Sequence, residues 1–352
     1  MRLVTGYFNL YVFWFKKTNL QIPVANTQKQ IFTHQRDCFM KIAVDVMGGD
    51  FAPKAIVEGA VIAANQLPEG VKLVLIGKQS IMLDILQTLK YPAHAIEMVN
   101  ADDVIEMGEH PTRAFSQKPN SSIGVGFKLL KEKQVDAFCS AGNTGAMMVG
   151  SLFTVKTVGN IQRPPIAGFL PLKNGGYSLM LDIGANADCK PEVLAEFAEL
   201  GSLYSKFAFG IDHPKVALLN IGEEEQKGST VVQAAYQLLK INKKLNFIGN
   251  VEGRDLFDGK ADVIITEGFT GNVIFKMGES FYDYAASKGI KDPLIDRMNY
   301  EVGGGSPIIG IKGNVIVAHG ISSPEAIKNM IYLAKRQIES RVTEQIIEAY
   351  ED

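Results

Sequence analysis

Residues 41–50 read KIAVDVMGGD, and the way this stretch is built sets the fold class. Ile42, Ala43, Val44 and Val46 form a nearly continuous apolar run instead of alternating with polar residues. Such a strand is buried on both faces, as in a parallel sheet covered by helices. Moving outward, the same kind of run returns at 72–77 (KLVLIG), 135–140 (VDAFCS), 178–184 (SLMLDIG), 215–222 (KVALLNIG), 245–250 (LNFIGN), 262–268 (DVIITEG) and 315–320 (VIVAHG). Helix-length amphipathic segments lie between them, among others at 190–209, 227–243 and 272–287. The last helix opens with Ser322-Ser323-Pro324-Glu325, which combines an N-cap, an early proline and a capping-box carboxylate. It then sets Ile327, Met330, Ile331, Ala334 and Ile338 on one face. The alternation predicts a layered α/β/α fold with a largely parallel sheet. No internal repeat, low-complexity tract or linker interrupts residues 40–352, which read as one domain.

The 352 residues are 46% hydrophobic and 21% charged, the composition of an ordinary globular protein. Thirty-six basic against 38 acidic residues leave a net charge of −2, so no cationic field is available to capture nucleic acid, and none is expected as a partner. An anionic substrate has to be held by a local pocket. Cys38, Cys139 and Cys189 show no CxxC spacing, which excludes a disulfide framework or zinc cluster and fits a reducing cytoplasm. Residues 1–39 stand apart. Their apolar run YFNLYVFWF stops at Lys16-Lys17, short of the ~20 residues that span a bilayer. They read as a leader or a mis-assigned start outside the fold.

Six strands run into small, polar turns: SAGNTG (140–145), DIGAN (182–186), NIGEE (220–224), GNVEG (249–253), EGFTGN (267–272) and AHGIS (318–322). Ligands of open α/β sheets bind beyond the carboxyl ends of the strands, where glycine allows close backbone approach. Together the six turns predict one shared polar site. Segment 109–130 joins Arg113 and Lys118 to Asn120-Ser121-Ser122 and then a helix, which serves either as a phosphate cradle or as simple N-capping. GxGxxG after a strand, HExxH and GxSxG are absent, and Gly253 to Lys260 is one residue too long for a phosphate-binding Walker loop. Cys139 reads as core, and Cys189 has no histidine near it in sequence. Of the five histidines, His319 alone sits in a strand-end glycine turn, while His94, His110 and His213 read as surface residues.

Taken in order, Asp45-Val-Met-Gly-Gly-Asp50, Ser140-Ala-Gly-Asn-Thr-Gly-Ala146, Arg163-Pro164, Asp182-Ile-Gly-Ala-Asn186, Leu219-Asn-Ile-Gly-Glu-Glu224, Gly268-Phe-Thr-Gly-Asn-Val273 with Lys276, and Ala318-His-Gly320 resemble the bacterial phosphate acyltransferase family. The resemblance runs from Met40 to the final helix. It implies a fold like that of phosphotransacetylases and isocitrate/isopropylmalate-type dehydrogenases. It also implies transfer of a long-chain acyl group from acyl-[acyl-carrier-protein] to inorganic phosphate, for phospholipid synthesis. A cytoplasmic homodimer, peripheral at the membrane, would hand acyl-phosphate to the membrane acyl-phosphate:glycerol-3-phosphate acyltransferase. The chain departs from the family at residues 1–39, at Ser116 where many relatives carry a basic residue, and at 273–302. That last segment is shorter than the helical pair through which relatives are thought to touch membrane.

Bound phosphate is a competent nucleophile, so direct attack on the thioester is expected, with the protein positioning it, stabilising the oxyanion and assisting thiolate departure. Arg163, Asn143 and His319 are the expected catalytic residues: a bidentate phosphate contact, a neutral donor and the acid for the leaving sulfur. The expected binding residues are Asp45, Gly48, Gly49, Asp50, Lys118, Ser121, Ser122, Ser140 and Thr144 on one side. Asp182, Asn186, Asn220, Glu223, Thr270 and Asn272 complete the set. No metal or organic cofactor is called for. Two rivals are a phosphotransacetylase acting on short-chain acyl-CoA and a non-catalytic acyl or carrier-protein binding module.

Overall fold

The computed structural model describes residues 40–351, and the expected leader lies outside them. The strands are β1 (Met40–Asp45), β2 (Val71–Gly77), β3 (Ile96–Asn100), β4 (Ala137–Ser140), β5 (Ala167–Pro171), β6 (Tyr177–Leu181), β7 (Lys215–Leu219), β8 (Asn246–Val251), β9 (Val263–Ile265), β10 (Ser306–Ile308) and β11 (Asn314–Val317). The helices are α1 (Lys54–Ala64), α2 (Gln79–Leu86), α3 (Pro111–Gln117), α4 (Ser122–Lys131), α5 (Thr144–Gly150), α6 (Pro191–Phe209), α7 (Thr230–Ile241), α8 (Gly268–Ser287), α9 (Tyr300–Gly303), α10 (Pro324–Ser340) and α11 (Val342–Glu351).

The largely parallel α/β layering is divided between two sheets, of order β10-β11-β4-β1-β2-β3 and β5-β6-β9-β7-β8. Only β10 and β5, at one edge of each sheet, run antiparallel to their neighbours. An isolated bridge from Ile166, just before β5, to Ile308 of β10 links the edges of the two sheets. In the first sheet, Ile42, Val44 and Val46 point to α1 and α10, whose Ile56, Ile327 and Met330 complete that half of the core. Ala43 points the other way, towards Phe127 and Phe138. Both faces are therefore apolar, which is why β1 reads as a continuous run. The second sheet buries Phe197, Leu200 and Leu239 on one face, and Met180, Ala217 and Ile264 with Phe275 on the other.

Two expected turns prove to be regular structure. Gly249, Asn250 and Val251 belong to β8, and residues 268–272 form the opening of α8. At α10, Ser323 caps as expected and accepts the Ala326 N–H, but Glu325 pairs with Lys328 instead of closing a capping box.

Candidate active site

In the first sheet the chain runs from β1 outward through β2 to β3, then returns to place β4 on the other side of β1. The carboxyl ends of β1 and β4 therefore flank a topological switch point, where open α/β sheets bind ligands. Asp45 stands there, fully buried. Its carboxylate accepts the Ser140 hydroxyl at 2.6 Å and the Met47 N–H at 3.0 Å. Burial pushes the carboxyl above its ordinary value, opposed by hydrogen bonds from Ser122, Ser140 and the backbone of Met47 and Gly48. Ser140 in turn accepts the Gly142 N–H at 2.9 Å. The Ser140 hydroxyl proton goes to Asp45, so in this arrangement that hydroxyl serves the carboxylate and not an anion, while Ser122 is buried at the start of α4. A methyl group on Gly48 would lie 2.7 Å from the Gly142 Cα, so only glycine lets the two turns touch. Gly49 lies against Ala141 and the Gly320 carbonyl, and exposed Asp50 donates its N–H to that carbonyl at 2.7 Å.

The strand β4 leads into α5 through Asn143, whose side chain faces inward to a loop and not to a ligand. Its Oδ1 accepts the Ala146 N–H at 3.0 Å, while Nδ2 donates to the carbonyls of Glu106, Met107 and Glu109 at 3.1, 3.1 and 3.0 Å. Both amide protons are used, so Asn143 shapes the 106–109 loop and has none for an oxyanion. Lys118 braces the same loop, donating to the Val104 carbonyl and to Glu109, each at 2.7 Å. That hydrogen bond holds the Glu109 carboxyl below its ordinary value, and the Lys118 charge is matched locally. Buried Ser121 caps α4 by accepting the Gly124 N–H at 3.2 Å. Thr144, partly exposed, opens α5, whose first N–H groups have no intrahelical acceptor.

A second cluster forms at the end of β6. Buried Asp182 takes the N–H groups of Ile166, Gly184, Ala185 and Asn186, and also the Asn186 side chain at 3.0 Å. Burial raises this carboxyl too, against those hydrogen bonds. The second Asn186 amide proton goes to the Pro164 carbonyl at 3.3 Å. Helix α8 starts on this turn: the Gly268 N–H meets the Asn186 carbonyl at 2.7 Å and Asn272 Nδ2 the Ile183 carbonyl at 3.2 Å. Thr270 donates both its N–H and its hydroxyl to the capping Glu267. Arg163 is exposed and reaches the Asp188 carbonyl at 3.4 Å, beside this turn. Asn220 and Glu223 bond instead to Lys227 and Lys260, on the β7–β8 side.

Helix α8 joins the two clusters. Its Glu279 accepts from His319 Nε2 at 3.0 Å and from Lys276 at 2.8 Å. Lys276 Nζ lies 3.2 Å from His319 Nδ1 and 3.0 Å from Nε2. The ammonium packs against the imidazole near both ring nitrogens, while Nε2 also faces the Glu279 carboxylate. His319 is thus brought into one cluster with Lys276 and Glu279, its ring braced between their two side chains. Glu279 went unnoticed in the sequence, since its partner is a histidine 40 positions further along the chain. The one local sign is its i,i+3 spacing from Lys276.

The family model described as "Fatty acid synthesis protein" matches residues 40–345. The chain is 44% identical to the phosphate acyltransferase of Dictyoglomus turgidum, over 88% of this chain and 97% of that one. It is 43% identical to the phosphate acyltransferase of Syntrophomonas wolfei, over 84% and 94%. Among solved structures it is similar in fold to a phosphotransacetylase from Streptococcus pyogenes, with TM-score 0.60 and 20% identity over 86% of this chain and 96% of that one. The EutD phosphotransacetylase from Staphylococcus aureus gives 0.59 and 21%, over 85% and 94%. With a match across nearly the whole of its described fold, the chain belongs to the phosphate acyltransferase family and is an acyltransferase.

Proposed function

We propose that the acyl donor is a long-chain acyl-[acyl-carrier-protein], the acceptor inorganic phosphate, and the product acyl-phosphate for phospholipid synthesis. The observation that carries the long-chain reading is a row of exposed apolar side chains on α8: Phe269, Val273, Met277, Phe281 and Tyr284. The row is about 22 Å long at helical rise, the scale of a fatty acyl chain and far beyond an acetyl group. It passes beside Lys276 near its middle, so a chain with its carbonyl at the ammonium has about 12 Å of apolar row to lie on, still far more than an acetyl group needs. A second copy covering the row would enclose the chain and remove large apolar groups from water, which favours a homodimer. Among the described residues no helix is long and apolar enough to cross a membrane. The proposed enzyme acts from the cytoplasm, at most peripherally at the membrane, and passes acyl-phosphate to a membrane-bound acyl-phosphate:glycerol-3-phosphate acyltransferase.

The reaction proceeds by direct attack. A phosphate oxygen bonds to the thioester carbon, the carbonyl pair moves to oxygen, and collapse of that intermediate expels the carrier-protein sulfur. Both described cysteines are unsuited to act first as nucleophiles. Burial pushes the Cys139 thiol far up, and Cys189 is pushed up to about 12 by its own burial and then by the charge of Asp182. Arg163 offers phosphate a forked donor, and the first N–H groups of α5 offer neutral ones. The test is incubation with palmitoyl-carrier protein and phosphate, trapping product with hydroxylamine, beside acetyl-CoA with phosphate. Phosphate-dependent hydroxamate from the first pair is expected. Product from acetyl-CoA alone would transfer the reading to a short-chain phosphotransacetylase, and none from either would leave a binding module.

A further inference from the structure

We propose that Lys276 is a catalytic residue of acyl transfer, the cation that meets the charge developing on the thioester oxygen, with Glu279 and His319 holding it in place. The inference rests on the acyl-transfer reading above and adds the group that serves the oxyanion.

The three side chains are graded in exposure: Glu279 is 18% exposed, His319 34% and Lys276 47%. The carboxylate lies innermost and the ammonium outermost. An ammonium has three N–H groups. One goes to Glu279 at 2.8 Å and one faces the His319 ring, 3.0 Å from Nε2 and 3.2 Å from Nδ1, which leaves the third for a ligand. The carboxylate lies beneath the ammonium, so the positive end of the Lys276–Glu279 pair faces the surface. A lysine left to itself would sample many rotamers, and two fixed acceptors remove most of that freedom before substrate arrives.

The surroundings fit the assignment. Val273 and Met277, both exposed, flank Lys276 on α8, so a chain laid along the Met277–Tyr284 half of the apolar row brings its carbonyl to the ammonium. His319 lies two residues beyond β11, whose neighbour β4 forms one side of the switch point. The Tyr300 ring, 5.2 Å from that of His319, closes the far side. Of the other cations expected to serve the site, Lys118 is spent on Glu109, and Arg163, at the 186–189 turn, is left for the phosphate and not for the thioester oxygen.

Hydrogenphosphate forms the new C–O bond while the carbonyl pair moves to oxygen, where the third Lys276 N–H meets it. The pair returns, the C–S bond breaks, and sulfur leaves with its electrons. The proton that phosphate carried passes through water to the thiolate, so Lys276 keeps its charge throughout and the step balances as acyl-phosphate plus thiol.

The experiment compares wild type with Lys276→Ala, Lys276→Arg and Glu279→Gln, using palmitoyl-carrier protein and inorganic phosphate, with the thermal midpoint of each variant measured. Lys276→Ala is expected to lose about 100- to 1,000-fold in kcat, with the KM for phosphate within about threefold of wild type. Added methylammonium should restore at least about tenfold of the rate, after subtraction of a phosphate-free aminolysis control. Lys276→Arg should keep part of the activity, and Glu279→Gln should lower kcat with less effect on KM. Retention of activity within threefold by a well-folded Lys276→Ala protein overturns the proposal. So does a loss that no amine relieves and that Lys276→Arg shares in full, because bracing of α8 then accounts for it. A wild-type protein that forms no acyl-phosphate overturns the acyl-transfer reading instead.

Discussion

Arg163 and Lys118 carry the same charge in opposite situations. Lys118 is spent on Glu109, whereas Arg163 is exposed, with one long hydrogen bond to a carbonyl. If Arg163 grips phosphate, Arg163→Lys keeps the charge, loses the fork and should raise the phosphate KM several-fold at nearly unchanged kcat. Arg163→Ala should cost about 2–4 kcal/mol in kcat/KM. Phosphate saturation curves and thermal midpoints check both, and unchanged phosphate dependence in a folded Arg163→Ala protein removes the residue from the site. Buried carboxylates predict an acid response. Burial alone would raise Glu279, but hydrogen bonds from His319 and Lys276 prevail and hold it below its ordinary 4.5. Its folded value is the lower one, so its contribution is complete above 4.5 and is lost as pH falls through the folded value. Asp45, raised above 3.8, works the other way and contributes more once it is protonated. Glu279→Gln should be less stable than wild type near neutrality, and the gap should close below pH 4.5 in urea titrations. A gap independent of pH would count against this account. Asp45, Ser140, Asp182 and Asn186 were legible in the sequence as polar residues ending apolar runs, and all four are buried and hydrogen-bonded. The direction of their protons was not legible. Whether Ser140 donates to a ligand or to Asp45 is decided by strand neighbours 95 positions apart.

At the level of elements, the continuous apolar runs correspond to the interior strands and to the edge strand β8, and leave out the edge strands β3, β5 and β10. The strand β3 lies at an edge and is only partly buried, so its residues Ile-Glu-Met-Val-Asn lack the run. The three-residue β10 is too short to show a pattern. The segment EGFTGN looks like a turn because of its glycines, yet Glu267 caps a helix there by accepting from Thr270. What its glycines secure is proximity. A methyl group on buried Gly271 would overlap the Asp182 carbonyl oxygen, which belongs to the backbone and has little room to yield. Gly271→Ala should therefore push α8 off the 182–186 turn at a cost of about 1–3 kcal/mol. The displacement would carry Lys276 and Glu279 away from His319, so activity should fall further than the loss of stability explains. Hydrogen exchange along α8 together with hydroxamate assays would show this, and a fully active Gly271→Ala protein would refute it.

For the molecule as a whole, the sequence indicated the layered α/β class, but how the strands divide between two sheets depends on which edge strands meet. That division is set by pairings between strands far apart in the chain, such as β4 with β11 and β6 with β9, and the Ile166–Ile308 bridge then links the two edges. The first sheet also joins the ends of the described chain. The strand β1 pairs with β4, β4 with β11, and α1 packs against α10, with Gly59 under Ile327. A protein truncated after Gly303 should thus leave β4 unpaired on one side and the Ile42–Val44 face half covered. It should be open to proteolysis throughout, including β1 and β2, and a protease-resistant fragment containing those strands would contradict this. The same closure makes birth on the ribosome slow to complete. At roughly 5–20 residues per second, on the order of half a minute separates the appearance of β1 from that of β11. During that interval a sticky, strand-rich nascent chain has no lid for its core. Yield in the cell should then depend on holding chaperones and on translation speed, even for sequence changes that leave the finished enzyme's stability untouched.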